Sequence, residues 1–279
     1  MEYENPKIPE HINTSRENPL KEFSTLLIGA IVLVIITSFV LGFGGSWLAG
    51  KIPFSAEIKI ASLYDISQHT DSKEHPELTE YLQKLVNKIG KAQNLPDDMP
   101  ITAHYMDSPT VNAFATLGGN LFIFRGLLEK IEYENTLTTL LAHEVAHVKY
   151  RHPIKSMGRG ITVGIAMATI TGNSDANILG DAGLLTVLQF SREMEIQSDE
   201  EAMDTLNTLY GHLGGGADLF AMFHQMRAEM DAEEPLEIFS THPLDEARIK
   251  NFAAIANKKG WEQSGKMTPL PAFFNKAFN

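Results

Sequence analysis

Between Phe23 and Gly50 the chain carries no charged residue, and the run is bounded by Glu22 and Lys51. It exceeds the roughly 20 apolar residues that cross a bilayer as a helix. The other place for such a segment is a protein core, where helices of this length and apolarity are rare. Trp47 stands near one end, where an interfacial aromatic belongs. The run begins late, behind the polar residues 1–22, and no clear A-x-A site follows it. It is also longer than the roughly 7–15-residue apolar stretch of a secretory signal. The features together predict an uncleaved anchor with one transmembrane helix at 23–50, after a loose polar tail at 1–22. Lys7, Arg16 and Lys21 flank it on one side, Lys51 and Lys59 on the other. That small positive excess leans towards a cytoplasmic N-terminus. The protein is then single-pass, with residues 51–279 facing outwards: the periplasm, if the membrane is a bacterial inner membrane.

Residues 51–279 read as one mixed domain of predominantly helical α+β class. Ile58 to Leu63 is expected as a short strand or connector. Leu78, Leu82, Leu85 and Ile89 recur at helical spacing after Pro76 and predict a helix. Three strands are expected, at 101–106, 111–116 and 120–124, the last two joined by a turn at Gly118-Gly119. A long helix follows from about Glu132 to Lys149. Two apolar pieces, 161–170 and 184–190, are expected as buried helices and as a lid over a cleft, with a re-entrant or membrane-surface role as the alternative. Further helices are expected at about 191–210, 217–230 and 244–256. The net charge of -12 provides no basic surface for nucleic acid, so no nucleic-acid partner is expected. The chain has no cysteine, which excludes disulfides, thiolate metal sites and a cysteine nucleophile. Any metal must be held by His, Asp or Glu, a donor set that suits zinc.

Chemistry concentrates in Leu141-Ala142-His143-Glu144-Val145-Ala146-His147. Histidines at i and i+4 share one helix face, so two imidazoles can converge on one ion. Glu144 can reach water on that ion without ligating it. A surface helix that happens to carry two histidines fits poorly, because the motif lies inside an apolar helical pattern. Burying three ionisable groups is costly unless they are paired or ligated. A catalytic zinc wants a third protein ligand and one open position. Glu195, in Ser191-Arg192-Glu193-Met194-Glu195-Ile196-Gln197-Ser198-Asp199, is the best candidate. Asp199, one turn on, can take a hydrogen bond from the outer nitrogen of a ligating histidine.

His143-Glu144-x-x-His147, Ser191-Arg192-x-x-Glu195-x-x-Ser198-Asp199 and Ser240-Thr241-His242-Pro243, in this order, resemble the HtpX-like membrane-associated zinc endopeptidases of metallopeptidase family 48. Asn112-Ala113-Phe114-Ala115 before Gly118-Gly119 matches that family too, and the resemblance covers roughly residues 75–255. It implies a zincin-like metallopeptidase domain with a small β-sheet, holding one Zn2+ per chain on His143, His147 and Glu195. Glu144 is then the catalytic base, Asp199 the partner behind the ligands, and His242 a candidate donor to the oxyanion. Asn112 and Ala113 would lie on an edge strand that binds an extended protein or peptide substrate. Ser198 departs from the usual Ala of relatives, and those relatives have several spans rather than one. Arg248 is expected either to bind substrate or to pair with an acid. The function implied is hydrolysis of peptide bonds in proteins, with envelope protein quality control as its setting. The rival is a membrane-anchored chaperone or scaffold with a vestigial zinc site, against which the intact base and ligand set argue.

Overall fold

The structure, a computed structural model, describes residues 4, 18–63, 70–171, 190–229, 237–242 and 246–278. Helix α1 spans Pro19–Ala49. It starts four residues before the uncharged run because Asn18 caps it: the Asn18 side chain accepts from Leu20 N–H at 3.1 Å, with Pro19 in the first turn. Large apolar side chains along it face outwards; Leu26 and Phe39 are each 74% exposed. Among the described residues it is the one helix long and apolar enough to cross a membrane.

Ile58 to Leu63 does not form a strand: it is the end of a helix, followed by a turn at Ser62 and Leu63. Helix α2, Phe54–Ala61, occupies this stretch and buries Phe54, Glu57 and Ala61. The apparent two-residue alternation of Ile58 and Ile60 misleads, since the buried positions follow a helical three-to-four spacing. Glu57 is carried inside by Arg151, 2.6 Å away, and by the N–H of Gly118 at 3.2 Å.

Helix α3, Pro76–Ala92, buries Leu78, Leu82, Leu85, Val86 and Ile89 as its periodicity predicts. Strands β1 (Thr102–Met106), β2 (Ala113–Thr116) and β3 (Asn120–Phe124) form one sheet in the order β1-β3-β2. β1 runs parallel to β3, and β2 runs antiparallel to it through the tight turn Leu117–Gly119. Gly118 (φ 71°) and Gly119 (φ 78°) take the left-handed backbone that the turn requires. After the short α4 (Arg125–Leu128) comes α5, Glu134–Lys149. Every residue of α5 from Asn135 to Val148 is buried, so this helix is the centre of the domain. A helix enclosed on all sides shows little amphipathic pattern, and its polar side chains must then find partners inside.

Tyr150 and Arg151, the latter at φ 61°, end α5 and lead into α6, His152–Thr171. The apolar piece 161–170 is therefore the far half of a longer helix, with Ile161, Thr162 and Gly164 half-buried. The piece 184–190 lies outside the described residues except for Phe190, and so does most of the expected lid. α7 (Arg192–Tyr210) packs along α5; Ser191 caps its start and Gly211, at φ 75°, ends it. α8 (Gly216–Glu229), α9 (Glu237–Thr241) and α10 (Glu246–Lys259) complete the described domain. A main core joins α3, the sheet, α5, α7, α8 and α10. A smaller cluster joins Ala49, Ala61, Leu117, Ile154 and Met157 where α1, α2 and α6 meet.

Candidate metal centre

The i, i+4 spacing puts His143 and His147 on one face of α5, and α7 lays Glu195 and Asp199 against that face. Nε2 of His143 and Nε2 of His147 are 2.9 Å apart. Each lies 3.4 Å from a carboxylate oxygen of Glu195. His242, at the end of α9, joins them: its Nδ1 is 3.1 Å from Glu195 Oε1. Potential ligand atoms of His143, His147, Glu195 and His242 all fall within 4.8 Å of one another, and all four residues are buried.

The outer nitrogens of the two helix histidines decide what the inner ones present. His143 Nδ1 is 2.9 Å from Asp199 Oδ1 and donates to it. His147 Nδ1 is 3.0 Å from Nδ1 of His152, whose Nε2 lies 3.1 Å from Gln197 Oε1. Burial pushes the His152 imidazole down to about 4, so it is neutral at pH 7. With Nε2–H given to Gln197, His152 Nδ1 can only accept, and His147 Nδ1 must donate. The two Nε2 atoms then face each other at 2.9 Å, where a proton on His143 or a metal ion can be shared between them. Burial opposes charge on His143, yet Asp199 and Glu195 hold it up at about 10. The same carboxylates that hold a proton there suit a metal ion, and the nitrogen spacing approaches the separation of two ligands at about 2.0–2.1 Å from zinc.

Asp199 is itself fixed. Arg248, on α10, donates Nε to Oδ2 and Nη2 to Oδ1, both at 2.7 Å. Its Nη1 lies 2.7 Å from Glu195 Oε2 as an ion pair. Of the two readings of Arg248, pairing with acids is the one the geometry displays, and it links α10 to α7 at the centre. Burial opposes ionisation of Glu195, but His242 and His143 hold its carboxyl well below the usual range.

Glu144 lies beside the cluster, 1% exposed. Among the described residues its Oε2 has no hydrogen-bond partner, and Oε1 is 3.5 Å from His242 Nε2, which also lacks a hydrogen bond there. Burial raises the Glu144 carboxyl above its ordinary value, against the pull of His242 and His143. The Ala115 N–H, on β2, adds a small pull in the same lowering direction. β2 is an edge of the sheet. Asn112 carbonyl accepts from Phe124 N–H at 3.2 Å, so positions 112, 114 and 116 direct their main chain towards β3. Alternation turns the main chain of Ala113 and Ala115 to the open edge. Asn112 thus offers its side chain, whose buried Oδ1 has no partner, and Ala113 offers main chain. A cavity of about 530 Å3, including its open mouth, reaches His143, Glu144 and His242 past Leu219, Phe220 and Phe223.

Sequence reasoning missed His152, Gln197 and Phe190, whose ring stacks on His147 with centroids 3.9 Å apart. His152 stands five residues after His147, a spacing that faces away on a continuous helix. It returns only because the chain breaks at Arg151.

The description Peptidase family M48 matches residues 76–256. The mitochondrial metalloendopeptidase OMA1 of Schizosaccharomyces pombe is 29% identical over 183 residues, covering 64% of this chain and 52% of that protein. The β-barrel assembly-enhancing protease of Yersinia pestis is 26% identical over 200 residues, 66% of this chain and 40% of that one. The metalloprotease LoiP of Escherichia coli is 26% identical over 194 residues, 66% and 75%. The chain therefore spans about half, or less, of the first two relatives' length.

Proposed function

The chain belongs to peptidase family M48, and from that premise we propose that it is a membrane-anchored, zinc-dependent endopeptidase. The observation that carries the reading is the convergence of His143, His147 and Glu195 within 4.8 Å, with an unpartnered oxygen of Glu144 beside them. His143, His147 and Glu195 would hold one zinc per chain. When bound, zinc supplies a Lewis acid that acidifies water and polarises a carbonyl.

The residues around it have distinct work. Glu144 Oε2 is free of other bonds and takes the proton from the attacking water. Its raised affinity for a proton suits a base that must afterwards give that proton to the leaving amine. Asp199 and His152 fix the tautomers of His143 and His147 by accepting from their outer nitrogens. Arg248 holds Asp199 and Glu195 in place. His242 gives its Nδ1–H to Glu195 and turns Nε2 to Glu144 across the cleft; as an imidazolium it would donate Nε2–H to the developing oxyanion. Ala113 pairs its free main chain with an extended substrate, and Asn112 adds a side-chain contact, which gives broad selectivity for unfolded polypeptide.

α1 anchors the enzyme in a membrane. We place the catalytic domain on the outer, periplasmic side from the flanking charges, and reporter fusions to the two ends of the chain test it. The name of the Yersinia relative concerns β-barrel assembly; for this chain we propose damaged envelope proteins as substrates. The test of the activity uses the purified full chain in detergent with casein and short peptides. Cleavage that chelation abolishes and zinc restores is expected, with one zinc per chain by metal analysis. Intact casein in the presence of fully zinc-loaded protein would contradict the proposal.

A further inference from the structure

The break between α5 and α6 is made by an arginine. Among the described residues only Asn94 and Arg151 are non-glycine residues with a left-handed backbone, Arg151 at φ 61°. Asparagine takes that conformation readily; a long side chain takes it under strain. Glycine makes such a turn freely, as Gly211 does at the end of α7. What the arginine adds is its side chain.

That side chain reaches the stretch that follows α1. Arg151 Nη2 lies 2.6 Å from Glu57 Oε2, and Nε donates to the same oxygen at 2.8 Å. Nη2 also donates to the Ile52 carbonyl at 2.9 Å, and the guanidinium lies over the Phe54 ring, 5.2 Å from its centroid. Glu57 makes a second tie: its Oε1 accepts from Gly118 N–H at 3.2 Å, in the turn between β2 and β3. Segment 52–57 is held in turn by the end of α1. Ala49, Ala61, Leu117, Ile154 and Met157 form one apolar cluster there. α1 and α6 approach so closely that a Cβ placed on Gly158 would meet Ala49 Cβ at 2.5 Å and the Gly45 carbonyl at 2.6 Å.

The Arg151 and Glu57 side chains are only 16% and 2% exposed. A buried ion pair contributes little net stability, because desolvation offsets the attraction. Strain and buried charge thus meet at one point, and a chain needs neither merely to hold its fold. Their neighbours give them a use. His152, the next residue, stands 3.0 Å from Nδ1 of His147. Gly118 ends the turn side of β2, the edge strand beside Glu144.

We propose that Glu57 and Arg151 are positioning residues of the metal centre, tying the chain that leaves α1 to the break that turns His152 onto His147. The same carboxylate steadies the turn from which the edge strand runs. Without the tie, Arg151 relaxes towards ordinary backbone, His152 leaves its place, and His147 loses the acceptor that fixes its Nδ1–H. The inference rests on the endopeptidase reading only for its metal: it needs zinc on His147, not peptide hydrolysis.

The test uses the full-length chain in detergent. Glu57→Gln combined with Arg151→Gly leaves neither an unpaired buried charge nor a strained backbone, and Gln keeps an oxygen for Gly118 N–H. Free of metal, this double variant should melt close to the unaltered chain. Its zinc affinity, by competition with a chelator, should fall about tenfold, the lower end for a partner standing behind a ligand. Made on a His152→Leu chain, the same two changes should cost less than about twofold, because their effect passes through His152. Glu57→Gln alone should weaken zinc in the same direction and provides the reading if the double variant fails to fold. Zinc affinity within about twofold of the unaltered chain in the variants that fold would overturn the proposal. So would a loss that persists undiminished on the His152→Leu chain. A chain that binds zinc but hydrolyses nothing would sink the endopeptidase reading and leave this inference standing; a chain that takes up no zinc would remove both.

Discussion

At the scale of residues, the centre works by fixing protons. Behind His147 stands a neutral, buried histidine in place of a carboxylate, itself oriented by Gln197 at 3.1 Å. His152→Leu removes the acceptor and should weaken zinc binding about 10–100-fold. His152→Gln keeps an acceptor and should recover part of it. Competition with a chelator measures the affinity, and thermal unfolding of the metal-free protein serves as the control. A change confined to metal-free stability would make His152 a packing residue only. His242→Ala should lower hydrolysis while leaving metal content near one per chain; loss of the metal would instead make His242 a ligand. His143, Glu144 and His147 stood out in the sequence because one helix carries all three at fixed spacing. Glu195 and Asp199 followed from a second i, i+4 pair. His152 and Arg248 were not readable in that way, because their positions depend on a chain break and on the docking of α10.

Among the elements, α3 and β3 follow their sequence patterns closely, since one face of each meets the core. Leu82 is fully buried in that core, and Leu82→Ala should cost about 2–5 kcal/mol of stability by denaturant unfolding. α2 was misread because a short helix with only three inward positions shows little periodicity, and one of them is the charged Glu57. The length of α6 was hidden for a different reason. Its first half is a domain helix and its second half an apolar one, so composition breaks where the helix continues. Gly158 sits at its crossing with α1, and Gly158→Leu should separate the two helices at a cost of about 1–3 kcal/mol. Thermal unfolding in detergent reads this as a lowered midpoint. An unchanged midpoint would mean that the crossing contributes nothing.

On the scale of the whole molecule, the metal centre is where separate parts of the chain meet. The candidate ligands come from α5 and α7, His242 from the end of α9, and Arg248 ties in α10. Metal bound to the folded state alone raises stability by mass action, about 4 kcal/mol at a thousand times Kd. Chelation should accordingly lower the melting temperature, and added zinc should restore it. Such convergence could be anticipated from ordered motifs but not measured from them, because spacing along the chain says nothing of distance across it. The central claim is that Glu144 moves a proton at a metal it does not bind. The most direct measurement takes Glu144→Gln, with metal content and casein hydrolysis determined on the same preparation. The account predicts about one zinc per chain and hydrolysis reduced by about 10²–10⁴-fold or more. Hydrolysis at the level of the unaltered chain, with zinc in place, would contradict it.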